Sequence, residues 1–281
     1  MSGQNTVRHA VVPAAGFGTR LRPLTDHLPK EMLPIGRMPV IGHIMEDLAA
    51  SGIATATIVL SEAKELIRGY CADGSRWGME CRYAVQPAMR GVGDATLRGL
   101  SESDRLPVLV AFGDCAVLRQ WDTAGPSATE RLIDAYRDAK ADAAVLCEQA
   151  PWESVHRYGV LDPAVDTPEQ PTAPFDIRGI VEKPERARAP SRLVVAARWI
   201  LGCAAIEALR RTEPGSNGEV GVTEAIADVI SRGGRVIGVP LGPGERRCDV
   251  GNIPSYLAAQ VFASLNDPEY GPGLRECASA Q

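Results

Sequence analysis

Residues 9–34 of the chain read HAVVPAAGFGTRLRPLTDHLPKEMLP, and this stretch sets the fold class. The apolar run at positions 10–12 is followed by the glycines Gly16 and Gly18, which predicts a short buried strand over residues 9–15 that enters a glycine turn. Because these glycines carry no side chain, backbone N–H groups of the turn can contact phosphate oxygens directly. The stretch therefore predicts a strand that ends in a phosphate-binding turn.

Two cationic side chains follow the glycine turn. Arg20 offers a planar guanidinium group for two hydrogen bonds to a phosphate, and Lys30 offers a compact ammonium group. Two familiar phosphate-binding motifs do not fit, because a dinucleotide fingerprint needs a third glycine where Leu21 stands and a P-loop needs Gly-Lys followed by Ser or Thr. The missing fingerprint argues against a nicotinamide oxidoreductase.

Strand and helix patterns alternate through the first half of the chain. Pro39 opens a helix with an apolar face that closes at Gly52, and the β-branched run at 55–60 predicts a strand. Further along, the pattern predicts a helix near 62–70, a strand near 82–85, a helix near 92–102 and a strand at 108–112. Alternating strands and helices imply right-handed crossovers and a mainly parallel sheet.

The pattern changes after Cys147. Residues 162–175 are rich in proline and acidic side chains, and the segments 157–161 and 177–181 that flank them predict a long surface hairpin. Helices near 203–211 and 222–231, a strand at 235–239 and a helix over 254–265 follow, and we expect a flexible tail over 268–281. We therefore predict a single α/β domain over residues 1–281, with a Rossmann-like, doubly wound mixed sheet that is mainly parallel and flanked by helices, a hairpin insertion and a C-terminal helical segment.

Charge and composition restrict the possible functions. The chain has 30 basic and 35 acidic residues and a net charge of -5, which argues against a protein that coats nucleic acid or an anionic membrane. Only four of the basic residues are lysines, and we interpret Lys64 and Lys140, on predicted helices, as solvated surface charges. No segment approaches the ~18 apolar residues of a membrane span and the N-terminus has no signal-peptide pattern, so we expect a cytoplasmic protein.

The cysteines and histidines show no metal-site pattern. The seven cysteines are scattered and contain no Cys-x-x-Cys pair, and the four histidines are equally dispersed. We therefore expect reduced cysteines, most of them in the core, and we expect no zinc site.

The apolar strand at 108–112 is followed by Gly113-Asp114. Ligands of an open parallel sheet bind at the carboxyl ends of its strands, so this position places the Asp114 carboxylate at the expected ligand edge. Mg²⁺ prefers oxygen ligands, typically one or two carboxylates together with substrate phosphates. Asp114 is therefore a predicted Mg²⁺ ligand.

The phosphate-binding stretch is similar to a known signature. The pattern G-x-G-T-R-[LM]-x-P-x-T, a three-residue spacer and P-K-E-M-L-P resembles the sugar-1-phosphate nucleotidylyltransferase family, and most of all its bacterial UTP:glucose-1-phosphate uridylyltransferases. The resemblance covers about residues 8–265 and implies that Arg20 and Lys30 stabilise the phosphates during transfer. It also implies nucleotide contacts from the turn, at Ala14, Ala15, Gly16, Gly18 and Thr19.

A second motif concerns the base. Gln86-Pro87 followed by Gly91 resembles the base-reading segment of the family. The resemblance implies that Gln86 and Gly91 contact the pyrimidine edge. Asp94 is a departure, because the family commonly has histidine at this position.

A second metal ligand is implied near the end of the chain. The segment Cys-Asp-Val-Gly at 248–251 resembles the family motif D-V-G-[TN] and precedes a predicted helix. By this resemblance Asp249 shares Mg²⁺ with Asp114. The family often has another acid directly after the first, whereas this chain has Cys115, so metal binding would rest on the two aspartates.

Three segments resemble the sugar-phosphate side of the family. They are an E-K-P motif at 182–184, a Y-G-V motif at 158–160 and a strand at 194–200 similar to V-V-G-R-Y-V-L. The resemblance implies that Glu182 accepts hydrogen bonds from sugar hydroxyls and that Lys183 contacts the phosphate. The implied sugar-phosphate contacts are Tyr158, Gly159, Glu182, Lys183 and Arg198.

The resemblance implies an enzyme with Mg²⁺ as its cofactor. An oxygen of a sugar 1-phosphate, with glucose 1-phosphate as the first choice, would attack the α-phosphorus of UTP in line and give a nucleotide-sugar and pyrophosphate. Residues 8–150 would form the nucleotide-binding half and residues 151–265 the sugar-phosphate half. The partners would be a nucleoside triphosphate, a sugar 1-phosphate and further copies of the chain, with no nucleic acid and no membrane.

Alternatives remain open. Within the same reaction the nucleotide could be dTTP or GTP, and substitutions at 217–226 relative to the family's G-E-I-Q-L-T-D-A-I leave room for an unusual sugar or cyclitol phosphate of specialised metabolism. Asp94 and Cys115 would also suit a non-catalytic paralogue that binds nucleotide-sugars. Release of pyrophosphate would separate an enzyme from such a binding module.

Overall fold

A nine-stranded mixed sheet forms the centre of the computed structural model, which describes residues 6–101, 107–215 and 218–279. Within these ranges the strands are β1 (His9–Pro13), β2 (Pro34–Ile35), β3 (Met38–Pro39), β4 (Thr55–Leu60), β5 (Glu80–Val85), β6 (Val108–Ala111), β7 (Cys115–Arg119), β8 (Ala143–Gln149), β9 (Gly159–Pro163), β10 (Phe175–Glu182), β11 (Leu193–Leu201), β12 (Val236–Pro240) and β13 (Glu245–Asp249). The central sheet has the order β5-β4-β1-β6-β11-β8-β12-β10-β9, and β7–β13 and β2–β3 form separate pairs.

Helices cover both faces of the sheet. In the described ranges they are α1 (Val40–Ala50), α2 (Glu65–Cys71), α3 (Gly91–Arg98), α4 (Ala128–Ala139), α5 (Cys203–Arg211), α6 (Val222–Ser231), α7 (Ile253–Leu265) and α8 (Gly271–Ser279). Successive residues of β1 point to opposite faces, so Val12 packs with α1, α2 and α4 while Val11 packs with α3, α5 and α6. This is the doubly wound arrangement that the alternating pattern predicts.

The mixed sheet is confirmed, but its parallel part is smaller than predicted. Strands β5, β4, β1 and β6 are mutually parallel and β12 is parallel to β8, which makes four of the eight neighbouring pairs. The other four pairs, β6–β11, β11–β8, β12–β10 and β10–β9, are antiparallel, and β9 and β10 form the predicted hairpin.

The C-terminal segment, for which we expect a flexible tail, contains a further helix. Residues of α8 form a helix whose side chains are mostly exposed. Asp267 stabilises the turn that precedes it, since its side-chain oxygen accepts hydrogen bonds from the N–H groups of Glu269 and Tyr270, both at 2.9 Å. No helix in the described ranges has both the length and the apolar character to cross a membrane.

Candidate active site

The ends of β1 and β6 bring two of the predicted motifs together. The N–H group of Gly113 donates to the carbonyl of Pro13 at 2.9 Å, and a Cβ atom on Gly113 would lie 2.8 Å from that oxygen. Glycine alone permits so close an approach without displacement. Asp114, the next residue, therefore lies beside the glycine turn.

Lys30 and Asp114 form a partly buried ion pair in which the Lys30 Nζ donates to the Asp114 carboxylate. Burial alone would lower the pKa of Lys30, but the negative charges of Asp114 and Glu31 outweigh burial and raise it. Burial alone would raise the pKa of Asp114, but Lys30 lowers it. Both groups are therefore charged at neutral pH. Each can form an ion pair with a group of opposite charge in a substrate complex.

Asp249 supplies a second carboxylate beside the first. Cys115 of β7 pairs with Asp249 of β13, and the N–H of Val250 donates to the carbonyl of Asp114 at 3.0 Å. Burial and the charge of Asp114 raise the pKa of Asp249, which is the repulsion expected of neighbouring carboxylates. Burial also raises the pKa of the Cys115 thiol well above its usual range, so Cys115 adds no charge here.

The donor set fits a hard divalent cation. Asp114 and Asp249 offer carboxylate oxygens, which Mg²⁺ prefers. Within the described residues no cluster of three or more acidic, histidine or cysteine side chains could hold a metal. The remaining ligands of a cation held by these two aspartates would therefore come from substrate phosphates and water.

The glycine turn exposes backbone donors next to Lys30. In the described part of the chain no protein group accepts a hydrogen bond from the N–H groups of Ala15, Gly16 or Phe17. A Cβ atom on Gly16 would lie only 3.3 Å from the Lys30 Nζ, so the glycine lets the lysine lie over the turn. Arg20 is exposed to solvent at the far end of the turn. A concave set of free N–H groups flanked by cations is suited to phosphate oxygens.

The structure contradicts the interpretation of Lys64 as a solvated surface charge. Lys64 is only 5% exposed, and its Nζ donates to the Glu31 carboxylate and to the carbonyls of Ala14 and Gly16. Glu31 is fully buried. Lys64 lies shortly after the carboxyl end of β4, near the sheet edge where ligands bind, but its partner Glu31 is 33 positions away in the sequence.

Gln86 and Gly91, which the resemblance assigns to the base, lie in contact with each other. The Gln86 Nε2 donates to the carbonyl of Gly91 at 3.1 Å and to Asp94 Oδ2 at 2.7 Å. Asp94 also accepts a hydrogen bond from Arg98 at 2.9 Å. An ionised carboxylate only accepts hydrogen bonds, so Asp94 bonds to the amide nitrogen of Gln86. The amide oxygen of Gln86 can then accept a hydrogen bond from another group.

The residues of the predicted sugar side also form a cluster. The N–H of Lys183 donates to the carbonyl of Tyr158 at 3.0 Å, and Thr223 Oγ1 donates to Glu182 Oε2 at 2.9 Å. A Cβ atom on Gly159 would lie 3.2 Å from the same glutamate oxygen. Lys183 has a φ of 44°, a left-handed conformation that is rare for lysine and is held by this hydrogen bonding.

A cavity of about 310 Å³ has Asp249 and Tyr158 among its lining residues and therefore joins the predicted metal ligand to the predicted sugar side. Three arginines that the sequence analysis did not identify line it, Arg157, Arg246 and Arg247. Arg247 donates to Glu148 Oε1 at 2.6 Å and lies over the Tyr158 ring. Their positive charge favours an anionic ligand in this cavity. Their position next to the Y-G-V and D-V-G motifs was the available signal.

The predicted sugar-phosphate contact of Arg198 is wrong. Arg198 is fully buried, and its Nη1 donates to the carbonyl of Cys115 at 3.0 Å while Nη2 lies 3.6 Å from Asp47 Oδ2 of α1. A register shift in β11 between Val195 and Trp199 turns this part of the strand. A bulge of this kind re-aims side chains, and here it directs the arginine into the core.

These features define a class of protein, and comparison with known proteins agrees with it. The chain matches the family described as Nucleotidyl transferase over residues 9–265. It therefore belongs to the nucleotidyl transferase family and is an enzyme of the nucleotidyltransferase class, as the signature in the sequence predicts.

The names of individual relatives are more specific than the family description. The chain is 30% identical to UTP–glucose-1-phosphate uridylyltransferase 2 of Streptococcus pyogenes serotype M3, with 96% of this chain and 94% of that protein covered. It is 28% identical to UTP–glucose-1-phosphate uridylyltransferase of Staphylococcus epidermidis, with 96% of each covered.

Solved structures show the same fold. A UDP-glucose pyrophosphorylase complexed with UDP-glucose has a TM-score of 0.78 at 28% identity, covering 91% of this chain and 98% of that one. The UDP-glucose pyrophosphorylase from Acinetobacter baumannii has a TM-score of 0.81 at 24% identity, covering 98% and 99%. The predicted α/β fold with a mixed sheet is confirmed.

Proposed function

We propose that the chain transfers the uridylyl group of UTP to glucose 1-phosphate and forms UDP-glucose and pyrophosphate. The observation that carries the proposal is the glycine turn, whose N–H groups at Ala15, Gly16 and Phe17 find no acceptor in the described part of the chain and lie near the Lys30–Asp114 pair. Such a turn suits the charged tail of a nucleoside triphosphate. The names of the relatives support UTP and glucose 1-phosphate as the substrates.

In the proposed reaction the protein positions two anions that repel each other. Lys183 holds the attacking phosphate, and Glu182, which accepts a hydrogen bond from Thr223, receives the sugar hydroxyls. A sugar-phosphate oxygen bonds to the α-phosphorus while the bond from that phosphorus to the oxygen of the departing pyrophosphate breaks. Arg20 and Lys30 stabilise the charge that builds on the pyrophosphate. The attacking phosphate is already a nucleophile, so no covalent enzyme intermediate is required.

We propose Mg²⁺ as the cofactor, held by Asp114 and Asp249. When bound, it would neutralise charge on the α-phosphate and on the two carboxylates. The arrangement of the two carboxylates supports this, because Asp114 and Asp249 are close enough for the charge of Asp114 to raise the pKa of Asp249. A triphosphate that binds beside them adds negative charge, which a divalent cation would neutralise.

The test is a matrix of the common nucleoside triphosphates against a panel of sugar 1-phosphates, scored by pyrophosphate release with Mg²⁺. We expect UTP with glucose 1-phosphate to give the fastest release. A preference for dTTP, GTP or an unusual sugar or cyclitol phosphate would replace the substrate assignment. Nucleotide binding without pyrophosphate release for every pair would indicate a non-catalytic paralogue.

A variant pair connects the reaction with the site. Asp114→Ala should lower the rate of pyrophosphate release by at least about 100-fold, the usual effect of losing one transition-state contact. Asp122→Ala removes an exposed carboxylate of a loop and serves as the matched control, with an unchanged rate. Parental activity of Asp114→Ala would show that the metal assignment is wrong.

The proposal also includes the cellular setting. A cytoplasmic location is supported by cysteines without disulfides in the described chain. Association into a homo-oligomer stays a prediction, for which light scattering of the purified chain is the measurement.

A further inference from the structure

Lys64 and Glu31 form a buried ion pair directly beneath the glycine turn. The Lys64 Nζ lies 2.8 Å from one Glu31 carboxylate oxygen and 2.7 Å from the other. Taking both charges out of water is costly, and a well-packed apolar pair is often as stable or more stable. Stability alone therefore does not explain why this ion pair is buried.

The remaining contacts of the ammonium group point to that role. The same Nζ donates to the carbonyl oxygens of Ala14 and Gly16, both at 2.6 Å. A lysine ammonium has three N–H donors, so the Glu31 carboxylate and these two carbonyls account for all of them. Lys64 thus fastens the backbone of the turn at two points.

Fixing a carbonyl also fixes the next N–H group. In a planar trans peptide the C=O and N–H bonds point in opposite directions. With the carbonyls of Ala14 and Gly16 directed at Lys64, the N–H groups of Ala15 and Phe17 point away from it. These are among the N–H groups that have no acceptor in the described part of the protein.

We propose that Lys64 is a positioning residue for the nucleotide site. Its ammonium group, held in place by Glu31, aligns the peptide planes of the turn so that their N–H groups face the phosphates of the bound nucleotide. Lys64 itself does not touch the substrate. This inference rests on the proposed function only in taking the bound anion to be a nucleoside triphosphate.

Two variants test the inference through UTP binding measured by calorimetry without the sugar phosphate. Lys64→Met should weaken UTP binding by about 10- to 100-fold, the effect expected when hydrogen bonds to a charged ligand lose their alignment. That variant leaves the Glu31 carboxylate buried without its partner, which threatens folding. The double variant with Lys64→Met and Glu31→Gln buries no charge in this pair, and we expect it to fold and to bind UTP as weakly.

Lys140→Met is the matched control, because Lys140 is an exposed lysine at the end of α4. It should bind UTP with the parental affinity. Unfolding by urea, followed for all variants, shows which of them are folded under the conditions of the binding measurement.

A second readout separates positioning from general destabilisation. In pyrophosphate-release assays the double variant should raise the KM for UTP and leave the KM for glucose 1-phosphate unchanged, since Lys64 contacts the turn and not the sugar side. Equal loss of affinity for both substrates, or a folded double variant that binds UTP as the parent does, would overturn the inference.

The two proposals fail in different ways. If the parent binds UTP but releases no pyrophosphate with any sugar phosphate, the proposed function is wrong, and the UTP dissociation constants of the variants still decide the role of Lys64. If the parent binds no nucleoside triphosphate, both proposals are overturned.

Discussion

The Arg198–Asp47 pair shows how one buried residue can be decisive for stability without touching a substrate. Burial raises the pKa of Asp47 despite the nearby Arg198 and the hydrogen bond that Asp47 accepts from Thr129 at 2.7 Å. The guanidinium group is fully buried and joins β11 to α1 and to the carbonyl of Cys115. Its contacts are therefore structural.

We predict that Arg198→Met lowers the free energy of unfolding by about 3–5 kcal/mol, because it leaves Asp47 buried without its partner. Urea unfolding measures the loss. Arg232→Met, which removes the arginine of an exposed pair with Asp228, is the control and should have a much smaller effect. A raised KM for glucose 1-phosphate with unchanged stability would instead favour the sugar contact that the sequence suggested.

Ala197 carries backbone strain in the bulge of β11. Its φ of 61° lies in the left-handed region, which disfavours any residue with a Cβ atom. Ala197→Gly should therefore raise the free energy of unfolding by about 1 kcal/mol. Ala196→Gly on the same strand, where φ is not positive, should lower it by at least about 0.5 kcal/mol. Two changes of the same sign would contradict this account.

At the scale of elements, the start of α3 and the segment before α6 hold the two halves of the site together. Gly93 donates to the carbonyl of Val220 at 2.9 Å, and Val220 donates to the carbonyl of Arg90 at 2.7 Å. A Cβ atom on Gly93 would lie 2.6 Å from the Val220 oxygen. No side chain larger than hydrogen fits between these elements as they are packed.

Gly93→Ala should therefore push the two elements apart and lower the free energy of unfolding by about 1–3 kcal/mol, as overpacking does. We also expect a higher KM for UTP, since Gln86 and Gly91 lie at the same end of α3. Gly69→Ala in α2 is the control: apart from neighbouring residues and the backbone of its own helix, no atom lies within 4 Å of its Cβ position, and alanine favours the helix. A Gly93→Ala chain as stable as the parent would contradict the packing argument.

Elements with a strong local pattern were predictable from the sequence. The apolar periodicity predicts α5 and α6. The acidic, proline-rich segment between two apolar runs predicts the hairpin of β9 and β10. The pairing of β7 with β13 and the direction of β11 were not predictable, because both depend on strands far apart in the chain. The prediction that Lys64 is a solvated surface charge was wrong for the same reason. Its partner Glu31 is 33 positions away, and periodicity carries no information about such contacts.

Lys30 and Asp114 lie 84 positions apart and are in contact in the structure. The sequence places Asp114 at the carboxyl end of a predicted strand, where ligands of a parallel sheet bind, but no local pattern predicts its contact with Lys30. Arg198 was assigned from resemblance alone, and the bulge that redirects it leaves no trace in the local sequence.

At the scale of the whole molecule, the reactivity of the seven cysteine thiols shows whether the core is closed to solvent. Cys203 and Cys277 are exposed, and the other five are buried. Burial raises the pKa of Cys71 and of Cys248 to about 12 and that of Cys81 to about 11, so these thiols stay protonated and unreactive.

We predict that a disulfide exchange reagent at mildly alkaline pH modifies two thiols in the native protein and seven after denaturation. Mass spectrometry should locate the two native adducts at Cys203 and Cys277. Rapid modification of Cys115 or Cys147 in the native protein would show that the core is open to solvent.

The central claim is the transfer of a uridylyl group at the glycine turn, and the fate of the α-phosphorus tests it most directly. UTP radiolabelled at the α-phosphorus should be incubated with glucose 1-phosphate and Mg²⁺, and the products separated by chromatography. We expect all transferred label in UDP-glucose, together with an equal amount of unlabelled pyrophosphate. Label that stays in UTP, or that appears in UMP without any nucleotide-sugar, would contradict it.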